Sequence, residues 1–188
     1  MAEAGQIKTD ELDAEGEARR RLALGQIRQY PDPVLRMQAR EVESFDDDLR
    51  RLAERMTSLM RDASGVGLAA TQVGIIRRLF VFQPDPDEDP IAVVNPVLVE
   101  TSEEQAVDDE GCLSLVGVQM PVERPVTVKL GGRDLEGGEL SLELGDHPAR
   151  VVQHELDHLD GVLILDRTTD EARKEALAVL RPKAVLTP

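Results

Sequence analysis

The chain has 188 residues, 41% of them apolar, and a formal net charge of −15. That length suits one domain with a buried core, the acidic balance argues against nucleic-acid readout, which needs a basic surface, and no stretch approaches the roughly 18 consecutive apolar residues of a membrane helix. A single cysteine excludes an internal disulfide framework and suits a reducing cytosol, and with no Trp and one Tyr there is almost nothing to stack on nucleotide bases.

Residues 1–21 are acidic and Gly/Ala-rich and lack the apolar run of a secretion signal. They read as a disordered extension of a cytoplasmic protein, leaving 22–188 as the folded domain. Tyr30-Pro31-Asp32-Pro33 reads as a turn, because each proline fixes φ and disfavours helix before it. Leu49, Leu52, Met56, Leu59 and Met60 recur at helical spacing, so a helix is expected over Asp46 to Asp62, with acidic residues at its positive end and Ser64-Gly65 closing it. Short β-type runs follow: Leu79 to Phe82, Ile91 to Val94, Val97 to Val99, Val126 to Leu130 and Leu140 to Leu144, the last two flanking a Gly-rich hairpin connection, Gly131 to Gly138. A helix is expected from near Asp146, and a final one over Thr169 to Leu180, with Thr168 and Glu171 spaced as a capping box. Strands grouped between helices without a βαβ alternation predict an α+β fold, with small antiparallel or mixed sheets packed around the Asp146 helix and a C-terminal helix.

Within the Asp146 helix stands His154-Glu155-Leu156-Asp157-His158, which holds two of the three histidines in the chain. Residues four apart share a helix face, so His154 and His158 can grip one metal ion while Glu155 handles protons beside it. A solvated acidic face is the alternative. Val151, Val152, Leu156 and Leu159 argue against it, because a helix buried on much of its circumference does not carry His, Glu and His without partners.

Hydrolytic metal sites usually take three protein ligands and leave one position open to water. His147 lies two turns, about 10 Å, from His154, too far to share the ion comfortably. Asp160 and Asp166 are possible third ligands, as in some zinc proteases. The lone Cys112, in Glu110-Gly111-Cys112-Leu113-Ser114, is the better one, since two imidazoles, a thiolate and an open position make a sensible site. A second glycine-rich block, Ser64 to Gly74, lacks the pattern and lysine of a phosphate loop. Its glycines suit a peptide lying along the backbone, and Gln72 can donate a hydrogen bond to a developing oxyanion.

Taken in order, Gly65 to Gln72, Glu110 to Ser114 and His154 to His158 resemble the three motifs of the peptide deformylases, G-x-G-L-A-A-x-Q, E-G-C-L-S and H-E-x-D-H. Tyr30 to Arg36 and Leu159 to Leu163 resemble that family's usual start and continuation, so the likeness covers about Leu22 to Leu165. The resemblance implies a hydrolase that removes the N-formyl group from the initiator methionine of nascent polypeptides. It implies Cys112, His154 and His158 as ligands of one divalent ion, Fe²⁺ with Zn²⁺, Ni²⁺ or Co²⁺ as replacements. Glu155 would be general base and then acid, Gln72 and the Leu113 amide the oxyanion hole, and Val66, Gly67 and Gly111 the backbone that pairs with substrate. Val116 stands where the family usually has proline, so the turn beyond Cys112 is expected to differ. His147 and Arg150 stand on the same helix ahead of His154, where apolar residues often line a methionine pocket; either their stems line it or they face solvent. The implied protein is a monomer whose substrates emerge at the ribosome surface. The segment from Thr168 onward has too weak a basic bias to argue docking there.

Overall fold

The computed structural model describes residues 13–181. The first described element is a helix, α1 (Ala14–Leu24), so residues 14–21 are not the disordered tail expected of them; residues 1–12 lie outside the described residues. The Asp13 carboxylate accepts the Gly16 N–H at 2.8 Å, and Glu15 and Glu17 sit in the first turn, where acidic groups oppose the helix dipole. The segment is ordered because it has a partner. Ala23 is buried in one cluster with Leu49, Met56 and Met60 of α2 (Asp47–Asp62), and Arg20 donates to the Ala63 carbonyl. The buried face of α1 consists of Gly16 and Ala23, too small to stand out as an apolar stripe.

Helix α2 matches expectation. Asp46 caps the Leu49 N–H at 3.0 Å, and Leu49, Ala53, Met56, Leu59 and Met60 face the core. Each fully buried Leu or Met contributes on the order of 1.5–3 kcal/mol. The left-handed residue that ends the helix is Ser64 (φ 57), not glycine. Gly65 instead lets the chain pass close to Leu113, whose Cδ1 would lie 2.7 Å from a Cβ there.

Seven strands follow: β1 (Gly67–Ala69), β2 (Leu79–Phe82), β3 (Ile91–Thr101), β4 (Gln105–Gly111), β5 (Gln119–Pro125), β6 (Thr127–Arg133) and β7 (Glu139–Gly145). They form a five-stranded antiparallel sheet, ordered β1-β2-β3-β6-β7, and a separate antiparallel pair, β4-β5. The runs expected over Ile91–Val94 and Val97–Val99 are one strand with a register shift between them. Asn95 sits at that shift with φ 49, its amide bonded to both the N–H and the C=O of Val42 at 2.8 and 2.9 Å. Asparagine tolerates this backbone better than most residues.

Helix α3 (Asp146–Leu159) is the centre of the molecule, buried without a break from Ala149 to Leu159. One side packs on Ala69, Phe80, Phe82 and Val93 of the large sheet, and Arg124 and Asp157 tie it to β5. The chain closes with α4 (Ile164–Arg167) and α5 (Asp170–Leu180). The cap of α5 is Thr169, which accepts the Ala172 N–H, one residue after the threonine expected.

Candidate metal centre and active site

Two segments meet at the middle of α3 to bring three side chains together. The loop after β4 brings Cys112, and α3 itself brings His154 and His158, one turn apart. All three are buried, and their ligating atoms lie within 4.8 Å of one another. Cys112 Sγ and His158 Nε2 are 3.2 Å apart, as are the Nε2 atoms of the two histidines. A tetrahedral ion with bonds of about 2.0–2.3 Å spaces its ligand atoms by about 3.4–3.7 Å, so the trio fits one with small adjustment. The other third ligands considered are engaged elsewhere: Asp160 pairs with Arg78 at 2.6 Å, and Asp166 with Arg36 and the Leu163 N–H. His147 is outside the cluster.

Behind His154 stands Glu110, fully buried, whose Oε2 lies 2.9 Å from His154 Nδ1. Such a contact keeps the Nδ1 proton in place and turns Nε2 toward the ligand cluster. Arg124 grips both carboxylate oxygens, at 2.6 and 2.9 Å, and Arg150 adds a third donor at 2.9 Å. Burial alone would raise the Glu110 pKa; the bonds from His154 and Arg124 prevail and hold it far below the usual carboxylate range. Burial likewise works against a charge on His154, but its bonds to Cys112 and Glu110 raise its pKa well above the ordinary value. His158, buried beside His154, is held well below it.

Glu155 is buried, with Oε2 lacking any hydrogen-bond partner. Burial pushes its pKa up to about 7. Its carboxylate fills the space over Gly67, where a Cβ would lie 2.3 Å from Oε1. The turn Ala70–Val73 places Gln72, whose orientation is fixed at both ends. Its Oε1 accepts the Ala69 N–H at 2.8 Å; its Nε2 donates to Ser114 Oγ at 3.1 Å and lies 3.7 Å from Cys112 Sγ. The arrangement offers three soft and borderline ligands, a carboxyl poised near neutrality and an amide donor.

The sequence profile of the polypeptide deformylase family matches residues 24–174. The chain belongs to that family. It is 44% identical to the peptide deformylase of Desulforudis audaxviator over 82% of this chain and 100% of that one. With the peptide deformylase of Clostridium botulinum it shares 47% identity over 79% and 99%. The crystal structure of a peptide deformylase from Legionella pneumophila superposes with a TM-score of 0.78 at 35% identity, over 82% of this chain and 91% of that one. As a deformylase family member the chain is a metal-dependent hydrolase that removes the N-formyl group from newly made polypeptides, and it carries a Cys/His/His cluster able to hold one ion.

The remaining deformylase motif residues surround this cluster. Val66 accepts the Gln83 N–H, and Gly67 opens β1, the edge strand of the large sheet. Gly111 ends β4, opposite Gln119. The Leu113 carbonyl accepts from Gln29, which lies beside the Tyr30-Pro31 turn. Past Ser114 the chain turns at Gly117 (φ 87), leaving Val116 exposed. Sequence reasoning gave Glu110, Arg124 and Asp157 no role and left Arg150 between lining a pocket and facing solvent. Arg150 does not face solvent; it is buried against Glu110 and borders a cavity shared with His147 and Pro148. The available signal was position: Arg150 precedes His154 by four residues, on the same helix face.

Proposed function

We propose that Cys112, His154 and His158 hold one divalent ion, Fe²⁺ in the cell with Zn²⁺, Ni²⁺ or Co²⁺ as replacements, and that the residues around it deformylate the initiator methionine of nascent chains. The observation that carries this reading is the convergence of the three ligands beside Glu155, whose buried oxygen has no partner. When bound, such an ion lowers the pKa of water toward about 7 and polarises a carbonyl. Glu155 takes the proton of the attacking water at Oε2 and returns it to the departing amine, so a single carboxyl serves both steps. Its raised pKa, about 7, suits that exchange near neutral pH. Gln72 Nε2 and the Leu113 N–H stabilise the oxyanion that develops on the formyl oxygen. The main chain of Val66, Gly67 and Gly111 pairs with the peptide as an added strand, a role supported by the edge position of β1.

The protein acts as a monomer in the cytoplasm, on formylated chains as they leave the ribosome. Among the described residues no helix is long and apolar enough to cross a membrane. Formate release from a formyl-Met-Ala-Ser peptide by anaerobically purified protein tests the reading, and a chelator should stop it. Absence of release from metal-loaded protein would overturn it. Cys112→Ala should lose both metal and activity; full activity in that variant would sink the His₂Cys ligand set.

A further inference from the structure

Arg150 is a buried arginine on the metal-site helix with three hydrogen-bonding partners to account for. Its Nη1 donates to Glu110 Oε1 at 2.9 Å and to the Val122 carbonyl at 2.8 Å; its Nη2 donates to the Ala106 carbonyl at 2.8 Å. Ala106 and Glu110 belong to β4, and Val122 to β5. One guanidinium therefore fastens both strands of the small sheet to α3. The two arms of the metal site lie on either side of that fastening. Cys112 follows directly from the end of β4, and His154 stands one turn beyond Arg150.

Arg124 also joins these elements, but differently. Its side chain holds Glu110 bidentately and reaches Asp157, bonding carboxylates where Arg150 bonds strand carbonyls. Glu110 thus keeps a full ion pair without Arg150, so charge neutralisation does not explain the second arginine. Nor does stability alone, because a buried ion pair is often matched by apolar packing of the same volume. What Arg150 adds is a tie from the helix that carries the histidines to the backbone of both strands, one of which leads to Cys112. A planar fork with donors at set angles suits that task, whereas a lysine is a single flexible point.

We infer that Arg150 is a positioning residue of the metal centre, setting the reach from Cys112 to His154 and the aim of Glu110 on His154. This rests on the ligand set proposed above. The test uses full-length protein stripped and reloaded with Co²⁺, in wild type, Arg150→Met, Arg150→Lys and Arg150→Gln. Cobalt affinity is read against a competing chelator, and the thiolate-to-cobalt charge-transfer band reads the bond to Cys112. Arg150→Met should melt cooperatively yet bind cobalt about 10–100-fold more weakly, as expected when an outer partner of a metal ligand is lost. Its thiolate band should weaken, and kcat should fall with KM for the formyl peptide unchanged. Lysine should restore affinity only in part, and glutamine less.

A folded Arg150→Met protein with wild-type cobalt affinity and an unaltered band would overturn the inference, leaving Arg150 a packing residue. Should the methionine variant fail to fold, the lysine and glutamine variants decide in the same way, wild-type affinity and band in both being the overturning result. Absence of a thiolate band in the wild type would overturn the ligand set itself, and this inference with it, and so is distinguishable from failure of the Arg150 role alone.

Discussion

At the scale of single residues, the site depends on groups whose burial is unusual for their chemistry. Among the described residues nothing bonds Oε2 of the buried Glu155 carboxyl, and burial raises its pKa to about 7. Replacing it with glutamine keeps the volume and removes the base. Glu155→Gln should cut kcat by about 10²–10⁴ while metal content is unchanged; activity within a few-fold of wild type would show that another group moves the proton. Gly67 makes the complementary case. A methyl group there would collide with Glu155 Oε1, so Gly67→Ala should displace the base. A misplacement of about 1 Å can cost about 10²-fold in rate, and formate kinetics on a variant of wild-type melting temperature would detect it. The grouping of His154, Glu155 and His158 was legible from the H-E-x-x-H spacing, because helical geometry fixes what faces what within one turn. The need for glycine at position 67 was not, since it arises from a side chain on another element.

At the scale of elements, periodic segments were legible and sparse ones were not. Helix α2 carries its pattern in five apolar residues, and its limits agree with expectation to within a residue. Strands β4 and β5 escaped notice. Gln105–Gly111 is largely acidic and exposed, Gln119–Pro125 contains two prolines, and each is a strand only because it pairs with the other. Helix α1 was missed for a similar reason, its buried face being an alanine and a glycine whose value depends on α2 lying opposite. At α5 the disagreement over the cap is small and testable. Thr169→Ala should lower stability by about 1 kcal/mol without changing formate release, and Thr168→Ala should not. A melting-temperature comparison that reversed the two would restore the earlier cap.

At the scale of the whole molecule, α3 is held by a run of alternating charges, buried at Arg150, Glu110, Arg124 and Asp157 and reaching the surface at Arg167, which links β4, β5 and α4 to it. Glu110 lies well below its ordinary value of 4.5 in the fold, so it contributes stability above about pH 4.5 that is lost as pH falls further. Removing one partner of such a buried pair typically costs about 3–5 kcal/mol. Glu110→Gln should therefore melt well below wild type at pH 7, and the gap should narrow steadily as pH falls below 4.5; a constant gap would show that the fold does not lower the Glu110 pKa. By itself the sequence determined what local geometry and motif order can carry: an α+β fold, two imidazoles and a carboxyl on one helix, and membership of a metal-hydrolase family. Only the tertiary structure decided that Cys112 closes the cluster from 46 residues away, that Glu110 and two arginines stand behind it, and that residues 14–21 are helical. The reason is reach. Backbone periodicity relates residues within a turn or two, whereas the partner of a buried charge is chosen by where the chain returns.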